Sequence, residues 1–418
     1  MEGGERSESP LAVHAGVAHQ AVVDFNPFSS DFFDDPYETY RWLRDEAPAY
    51  HNETYGFWAL SRYEDVVSAH RDWKTFSSEH GVTIDQLSDP QSPVRGTSII
   101  MMDPPEHEQL RKLVSRVFTP RAVDALEPMI RSVVRSHLDP LMDRDEFDLV
   151  ADFSGPFPVE VISTMLGVPE ADRQQIRHWT DLLLHREPND PRTTQAGMEA
   201  ALLQVGYFLD LIADKRATPS DDLVTRLIEV EVTDEDGTTH RLTDDDIAGF
   251  ALLIAAAGSE TVTKLVGSGV VLFDRNPDEW RQLLEDRSLS ANAVEEVLRY
   301  WAPSQYQGRF SLSASTWHGV TIPEGMPVLL ITGAASRDER AYDDPDRFDI
   351  DRPQPLGVGL GHGIHACLGA ALARIEGRIA FDEIADRWPR YTVDDDGLRR
   401  VQMANVAGFS NVPVRVAA

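Results

Sequence analysis

The most apolar stretch of the chain, Ile247 to Ala257, runs eleven residues before Gly258, Ser259 and Glu260 interrupt it. That is short of the roughly 20 residues a membrane span needs, so it reads as a buried helix. Thr243 and Asp246 sit at the spacing that opens such a helix with a reciprocal side-chain cap. Asp35-Pro36 before Tyr37, and Asn276-Pro277 before Trp280, each place a capping residue ahead of a proline at the first helical position. Ser61 with Glu64, and Asp103 with Glu106, carry the capping-box spacing and predict two more helix starts. Strand signals are fewer and late. Trp317 to Ile331 is predicted to fold around Pro323-Glu324-Gly325, and Tyr391 to Val416 to hold short β pieces around Asp396-Gly397. From Trp73 to Asp103 no period is sustained, and Gly81, Pro90, Pro93 and Gly96 predict a long irregular loop of the kind that serves as a lid. The pattern predicts a mainly α chain with a small β subdomain.

Composition narrows the function classes. The 418 residues carry 39 Lys and Arg against 70 Asp and Glu, a net charge of -31. That argues against nucleic acid and anionic membranes as partners, since both need a basic face. A single cysteine excludes an intrachain disulfide framework and any multi-cysteine metal site, and fits a reducing compartment. Met1 to Gln20 lack a basic segment followed by an apolar one, so a short mobile tail, 1–20, and a cytoplasmic location are expected. With no repeat and no Gly/Ser-rich linker, residues 21–418 are expected to form one large helix-rich domain.

The sole thiol lies in Gly359-Leu360-Gly361-His362-Gly363-Ile364-His365-Ala366-Cys367-Leu368-Gly369, just ahead of the helical run from Ala370. Three glycines let the backbone turn tightly and approach a flat partner. A cysteine just before a helix N-terminus has its thiolate favoured by the dipole and by unpaired amides, as a metal ligand requires. Here the sequence resembles the cytochrome P-450 family of thiolate-haem monooxygenases, whose ligand loop runs Phe-Gly-x-Gly-x-His-x-Cys-x-Gly. Gly361, Gly363, His365, Cys367 and Gly369 match, and Leu360 stands where phenylalanine is usual. The family's aromatic ring packs beside the thiolate, so the leucine bears on reduction potential and ligand shielding.

Three further segments extend the resemblance. Glu296 and Arg299, three apart on one helix face, resemble the family's Glu-x-x-Arg. Pro345-Asp346-Arg347-Phe348 resembles its later motif, which implies that Arg347 completes a buried charge network with them. Ala257-Gly258-Ser259-Glu260-Thr261 resembles the oxygen-binding groove, in which Gly258 permits a local helix distortion. The resemblance assigns Glu260 and Thr261 to proton delivery during dioxygen activation. His107 and Arg111, four apart after Asp103-Pro104-Pro105, match the family's grip on a haem propionate, with Arg309 and His365 as its other propionate contacts. Arginine suits carboxylates through its fork of donors. The resemblance runs from about Asp24 to the C-terminus, with Ser336 in place of a commonly found asparagine.

The implied activity is a haem-dependent monooxygenase, with haem b on Cys367, that uses O2 to hydroxylate or epoxidise a hydrophobic small molecule. No flavin or iron-sulfur module is fused to the chain, so ferredoxin and ferredoxin reductase are the expected electron donors. Arg111, Lys112, Arg116 and Arg121 form a basic run without an acid, and Lys112 and Arg116 turn away from the face of His107 and Arg111. That outer face is the expected docking site for an acidic ferredoxin. A peroxide-driven peroxygenase, a non-catalytic haem sensor or carrier, and an ordinary acidic enzyme with a structural Cys367 are the competing readings. An intact Glu260-Thr261 pair disfavours the first two.

Overall fold

The computed structural model describes residues 25–88, 98–116, 118–233, 237–353 and 357–416. The expected tail, 1–20, lies outside them, as does 89–97 of the expected loop. Six helices carry the argument: α1 (Tyr63–Arg71), α2 (Glu106–Ser115), α3 (Arg173–Leu184), α4 (Asp244–Arg275), α5 (Ser290–Tyr300) and α6 (Ala370–Arg387). The helices Glu127–Leu138, Pro156–Leu166 and Gln195–Ala217 pack with them.

The axis is α4. Thr243 Oγ1 accepts from the Asp246 amide at 3.1 Å while Asp246 Oδ2 accepts from the Thr243 amide at 2.8 Å, the reciprocal cap that the spacing predicts. Every residue from Val262 to Phe273 is buried. By length and composition α4 and Gln195–Ala217 could each cross a membrane, but α4 is enclosed by α3, α5, α6 and Pro156–Leu166. Its polar positions stay helical because each finds a local partner. Ser259 and Thr263 donate to carbonyls four residues back, and Glu260 pairs with Lys264.

The β part is small. Strands β1 (Ala49–Asn52), β2 (Phe57–Leu60), β3 (Phe76–Ser77), β4 (Gln307–Ser311) and β5 (Pro327–Leu330) form one sheet in the order β1-β2-β5-β4-β3. Only the β2–β5 pair is parallel. Strand alternation divides its two faces. Leu329 joins the cluster of Phe25, Tyr40, Phe57 and Tyr306, while Val328 and Leu330 join that of Leu60, Val66 and Phe76. The expected reversal at Pro323-Glu324-Gly325 is not a hairpin tip. His318 and Gly319, both at positive φ, turn the chain between Ser315–Trp317 and Val320–Ile322. The 73–103 stretch is also less irregular than expected, holding β3 and the short helix Ile84–Ser88.

Two expected caps are taken by tertiary partners. Ser61 does not cap α1; Asp338 Oδ2 accepts from the Tyr63 amide at 2.8 Å instead. Asp103 lies outside the start of α2 and accepts from the Ser78 amide, tying α2 to the end of β3.

Glu296 and Arg299 form a fully buried bidentate pair, both contacts 2.7 Å. Arg299 also donates to the carbonyls of Ser336, Pro345 and Arg347. The expectation that the Arg347 side chain completes this network is corrected. Its guanidinium is 61% exposed and reaches Asp349 and Glu279 only at 3.8 and 4.0 Å. Buried Arg352 takes the place, with Nε 3.4 Å from Glu296 Oε1 and Nη2 on the carbonyls of Asp344 and Arg347. Arg347 serves the network through its backbone.

Arg352→Ala should therefore cost about 2 kcal/mol by denaturant unfolding, the scale of lost charged hydrogen bonds, and Arg347→Ala only about 0–1 kcal/mol, as for a surface pair. A second buried carboxylate, Glu383 on α6, accepts from Arg131, Arg135 and Arg387. Burial alone would raise its pKa, but the three guanidinium groups hold it at about 2. The folded pKa is depressed, so its stabilisation is complete above the ordinary glutamate value and is lost as pH falls toward 2. Glu383→Gln should flatten the fall in unfolding free energy between about pH 4.5 and 2.

Candidate active site

Cys367 closes the loop that leads into α6, whose first amide side is capped by Gly369. Its N–H donates to the Leu360 carbonyl at 2.9 Å, and Gly361 N–H donates to Val358. Two glycines are required by close approach: a Cβ at Gly363 would lie 2.3 Å from the His70 carbonyl oxygen, and one at Gly359 2.7 Å from that of Leu298. Gly361 turns the chain at φ +69°. Gly369 differs, since a Cβ there would meet no protein atom within 4 Å. Leu360, where an aromatic ring is usual in the resembling loop, is half-buried against the main core. Burial pushes the Cys367 thiol up, against the Gly369 amide and the charges of Arg111 and Arg374. The sulfur-bearing side chain is nevertheless accessible. Dense surroundings and an accessible thiol together mean that it opens onto an internal space.

A cluster of basic side chains gathers beside this loop. The rings of His107 and His365 lie 4.4 Å apart. Both ring nitrogens of His107 and Nε2 of His365 are buried with no hydrogen-bond partner, and His70, on α1, is buried beside Gln307. Arg309, on β4, is buried and donates to its neighbour's carbonyl, Gly308. Arg111 Nη2 donates to the Ala366 carbonyl at 2.8 Å, touching the cysteine loop directly. Burial first, then the charges of Arg309 and other neighbours, pushes His365 down to about 2 and His70 to about 3, while burial brings Arg309 to about 10. Burial and Arg111 also lower His107. Among the described residues none of these five groups forms an ion pair with a carboxylate. Partnerless buried donors are costly, and this many in one place define a site for an anion. They fit the two carboxylates of a haem, and the space at Gly369 and the accessible Cys367 fit its face and its metal.

A second accessible surface lies on α4. Ala257 is exposed and Thr261 half-exposed there, within a half-buried stretch of the helix that precedes the buried run from Val262. The expected helix distortion at Gly258 is absent: α4 runs unbroken, and Thr261 Oγ1 donates to the Ala257 carbonyl at 2.6 Å. A Cβ at Gly258 would lie 3.4 Å from Ile162, so this glycine faces Pro156–Leu166. Glu260 turns toward α3 and the Lys264 ammonium, 2.9 Å away. The structure therefore brings Cys367, Gly361, Gly369, His365, His107, Arg111 and Arg309 together. It sets Thr261 on α4 apart from them and directs Gly258 and Glu260 to other sides of that helix. His70 and His362 join the cluster without any signal in the sequence. A lone histidine at a helix end is unremarkable until Gly363 is seen pressed against its backbone.

Comparison with known proteins points the same way. The Cytochrome P450 family description matches residues 35–388. The chain is 41% identical over 402 residues to a putative cytochrome P450 123 of Mycobacterium tuberculosis, covering 96% of this chain and 98% of the relative. It is 39% identical to the vitamin D(3) 25-hydroxylase of Pseudonocardia autotrophica, covering 93% and 95%. The crystal structure of CYP109E1 from Bacillus megaterium in complex with testosterone superposes with a TM-score of 0.84 at 32% identity, covering 92% of this chain and 98% of that one. The chain thus belongs to the cytochrome P450 family, the monooxygenases that act on small molecules with haem, iron protoporphyrin IX, as cofactor.

Proposed function

We propose that this protein is a cytoplasmic monooxygenase that takes two electrons from a ferredoxin and ferredoxin reductase and hydroxylates or epoxidises a hydrophobic small molecule. The observation that carries the reading is the buried basic cluster without carboxylate partners beside an accessible lone thiol. Haem, when bound, supplies the iron at which dioxygen is activated. Cys367 would hold that iron through its sulfur, and the Gly369 amide and Arg111 favour the thiolate. His107, Arg111, Arg309 and His365, with His70, would hold the propionates of the haem, and Gly361 and Gly369 shape the cysteine loop that would receive it. Thr261 presents its hydroxyl to the chamber, and Glu260 supplies protons from behind α4. A vitamin D(3) hydroxylase among the relatives and testosterone in a structural neighbour support an apolar substrate.

Electron entry belongs on the outer side of the cysteine loop. Lys112 is exposed on α2, whose Arg111 touches that loop, and Arg116 is exposed at the end of the same helix, donating to the Glu231 carbonyl. Exposed Arg71 borders the same loop, with its Cα 3.2 Å from where a Gly363 Cβ would lie. In a chain of net charge -31 such a patch gives an acidic ferredoxin its orientation.

The absorption spectrum of the holoenzyme, reduced under carbon monoxide, should show the far red-shifted Soret band of thiolate ligation. Cys367→Ser should lose that band, and its retention would reject Cys367 as the ligand. Thr261→Ala should lower product formed per dioxygen consumed by roughly tenfold; unchanged coupling would favour a peroxide-driven reaction instead. Charge reversal at Lys112 and Arg116 together should slow ferredoxin-dependent reduction, most at low salt, with haem content unchanged. Equal reduction rates would remove the docking face.

A further inference from the structure

A recess that shares no residue with the cysteine loop or the basic cluster lies where the end of α5 and the later half of α4 meet the N-terminal helix Ser30–Asp34 and the paired strands Arg399–Arg400 and Phe409–Asn411. Its volume is about 290 Å³, the open mouth included. Half-buried Arg400 lines it. The guanidinium carbon stands 4.0 Å from the ring centre of Phe409, its cross-strand neighbour, and 4.9 Å from that of Trp301. Stacking occupies the faces of a guanidinium and leaves its N–H edges free. Among the described residues Arg400 makes no hydrogen bond and no ion pair. Arg275, 5.7 Å from the same indole, is by contrast paired with Asp395 at 2.7 Å.

The other lining groups show the same excess of donors. Ser268, on α4, is 2% exposed, and neither its hydroxyl nor the Trp301 indole N–H has a partner among the described residues. The remaining polar groups are taken. Gln305 accepts from the Tyr40 hydroxyl at 2.8 Å and donates to the Ala302 carbonyl, and the Tyr37 hydroxyl donates to the carbonyl of Tyr300. Asp34, the one carboxylate of the lining, is exposed. Buried donors without acceptors are costly, and a planar fork of them matches a carboxylate. Burial also lowers the Arg400 pKa, a cost that a bound anion removes. Phe33 and Pro36 supply an apolar wall.

We propose that this recess binds a small organic monocarboxylate, with Arg400 as its counter-ion, Ser268 as a second donor and the apolar wall against its body. The charge of Asp34 sets the site against a second negative group on the ligand.

Calorimetric titration of the haem-loaded protein with sodium benzoate at fixed ionic strength should show saturable binding that leaves the Soret band unmoved. Benzamide, similar in shape but uncharged, should bind at least about tenfold more weakly, and nitrate, which lacks an apolar body, should also bind more weakly. Arg400→Gln should weaken benzoate binding by about tenfold or more with haem content unchanged. Ser268→Ala should weaken it by about threefold, and Asp34→Asn, at an exposed position, should tighten it. Absence of saturable heat, benzoate affinity retained in Arg400→Gln, or benzamide or nitrate binding as tightly as benzoate would overturn the proposal. A Soret shift that tracks the heat would overturn it too, by placing the acid beside the haem. If Arg400→Gln does not fold, unchanged affinity in Ser268→Ala or Asp34→Asn rejects the site.

Discussion

A guanidinium buried without water has five N–H donors to satisfy, and the way Arg299 satisfies them fixes the rest of the site. Glu296 takes two of the bonds, and the carbonyls of Ser336, Pro345 and Arg347 take the others. The chain between β5 and the cysteine loop is thereby folded onto α5. The loop begins on that same helix, because Gly359 lies against the Leu298 carbonyl too closely for any side chain. Since α5 packs on both α4 and α6, a charge pair that touches neither Cys367 nor Thr261 anchors the helix on which the cysteine loop and both of those helices rest. Removing one member of such a pair leaves the other charged and buried, at a cost of about 3–5 kcal/mol. That cost is what holds the loop and the helices in register.

The chamber itself is built against stability. Two histidines with unpartnered ring nitrogens, a third buried beside them and a buried arginine are a poor interior in isolation, and proteins retain such groups where a ligand completes them. Their pKa values fall because burial and mutual repulsion disfavour the charged forms. A dianionic ligand reverses the sign of that field. Binding therefore draws free energy from relieving the cluster as well as from new contacts, and it couples to the stability of α1, α2 and β4, which supply His70, His107 and Arg309.

Legibility in the sequence followed the reach of each interaction. Thr243 and Asp246 cap α4 as their spacing predicts because both partners lie within one turn. Ser61 and Asp103 carry the same spacing, yet Asp338 and Ser78 intervene from distant segments. The motif around Arg347 was legible as a place but not as an assignment of side chains: its carbonyl faces Arg299 while Arg352, five residues on, turns its guanidinium inward. Gly258 was read as a point of helix distortion, whereas its missing side chain makes room for Ile162. The cysteine loop was readable because glycine, histidine and cysteine at fixed spacing meet a geometric demand within eleven residues. His70 was not, since its relation to the loop exists only once α1 is folded beside Gly363.

The division of labour along α4 follows from helical rotation. Consecutive residues lie about 100° apart around a helix, so Glu260 and Thr261 cannot share a face. Thr261 lies on the half-exposed side of α4, where its hydroxyl donates to the Ala257 carbonyl. Glu260 points to the polar seam with α3, pinned by an ammonium one turn onward on its own helix. Lys264 and Arg177 stand close enough to hold that carboxyl below its ordinary pKa despite burial. An acid placed on Thr261's own face would instead lie on the accessible side of α4, and placing it one residue earlier buries the charge against Lys264 while keeping it adjacent to Thr261.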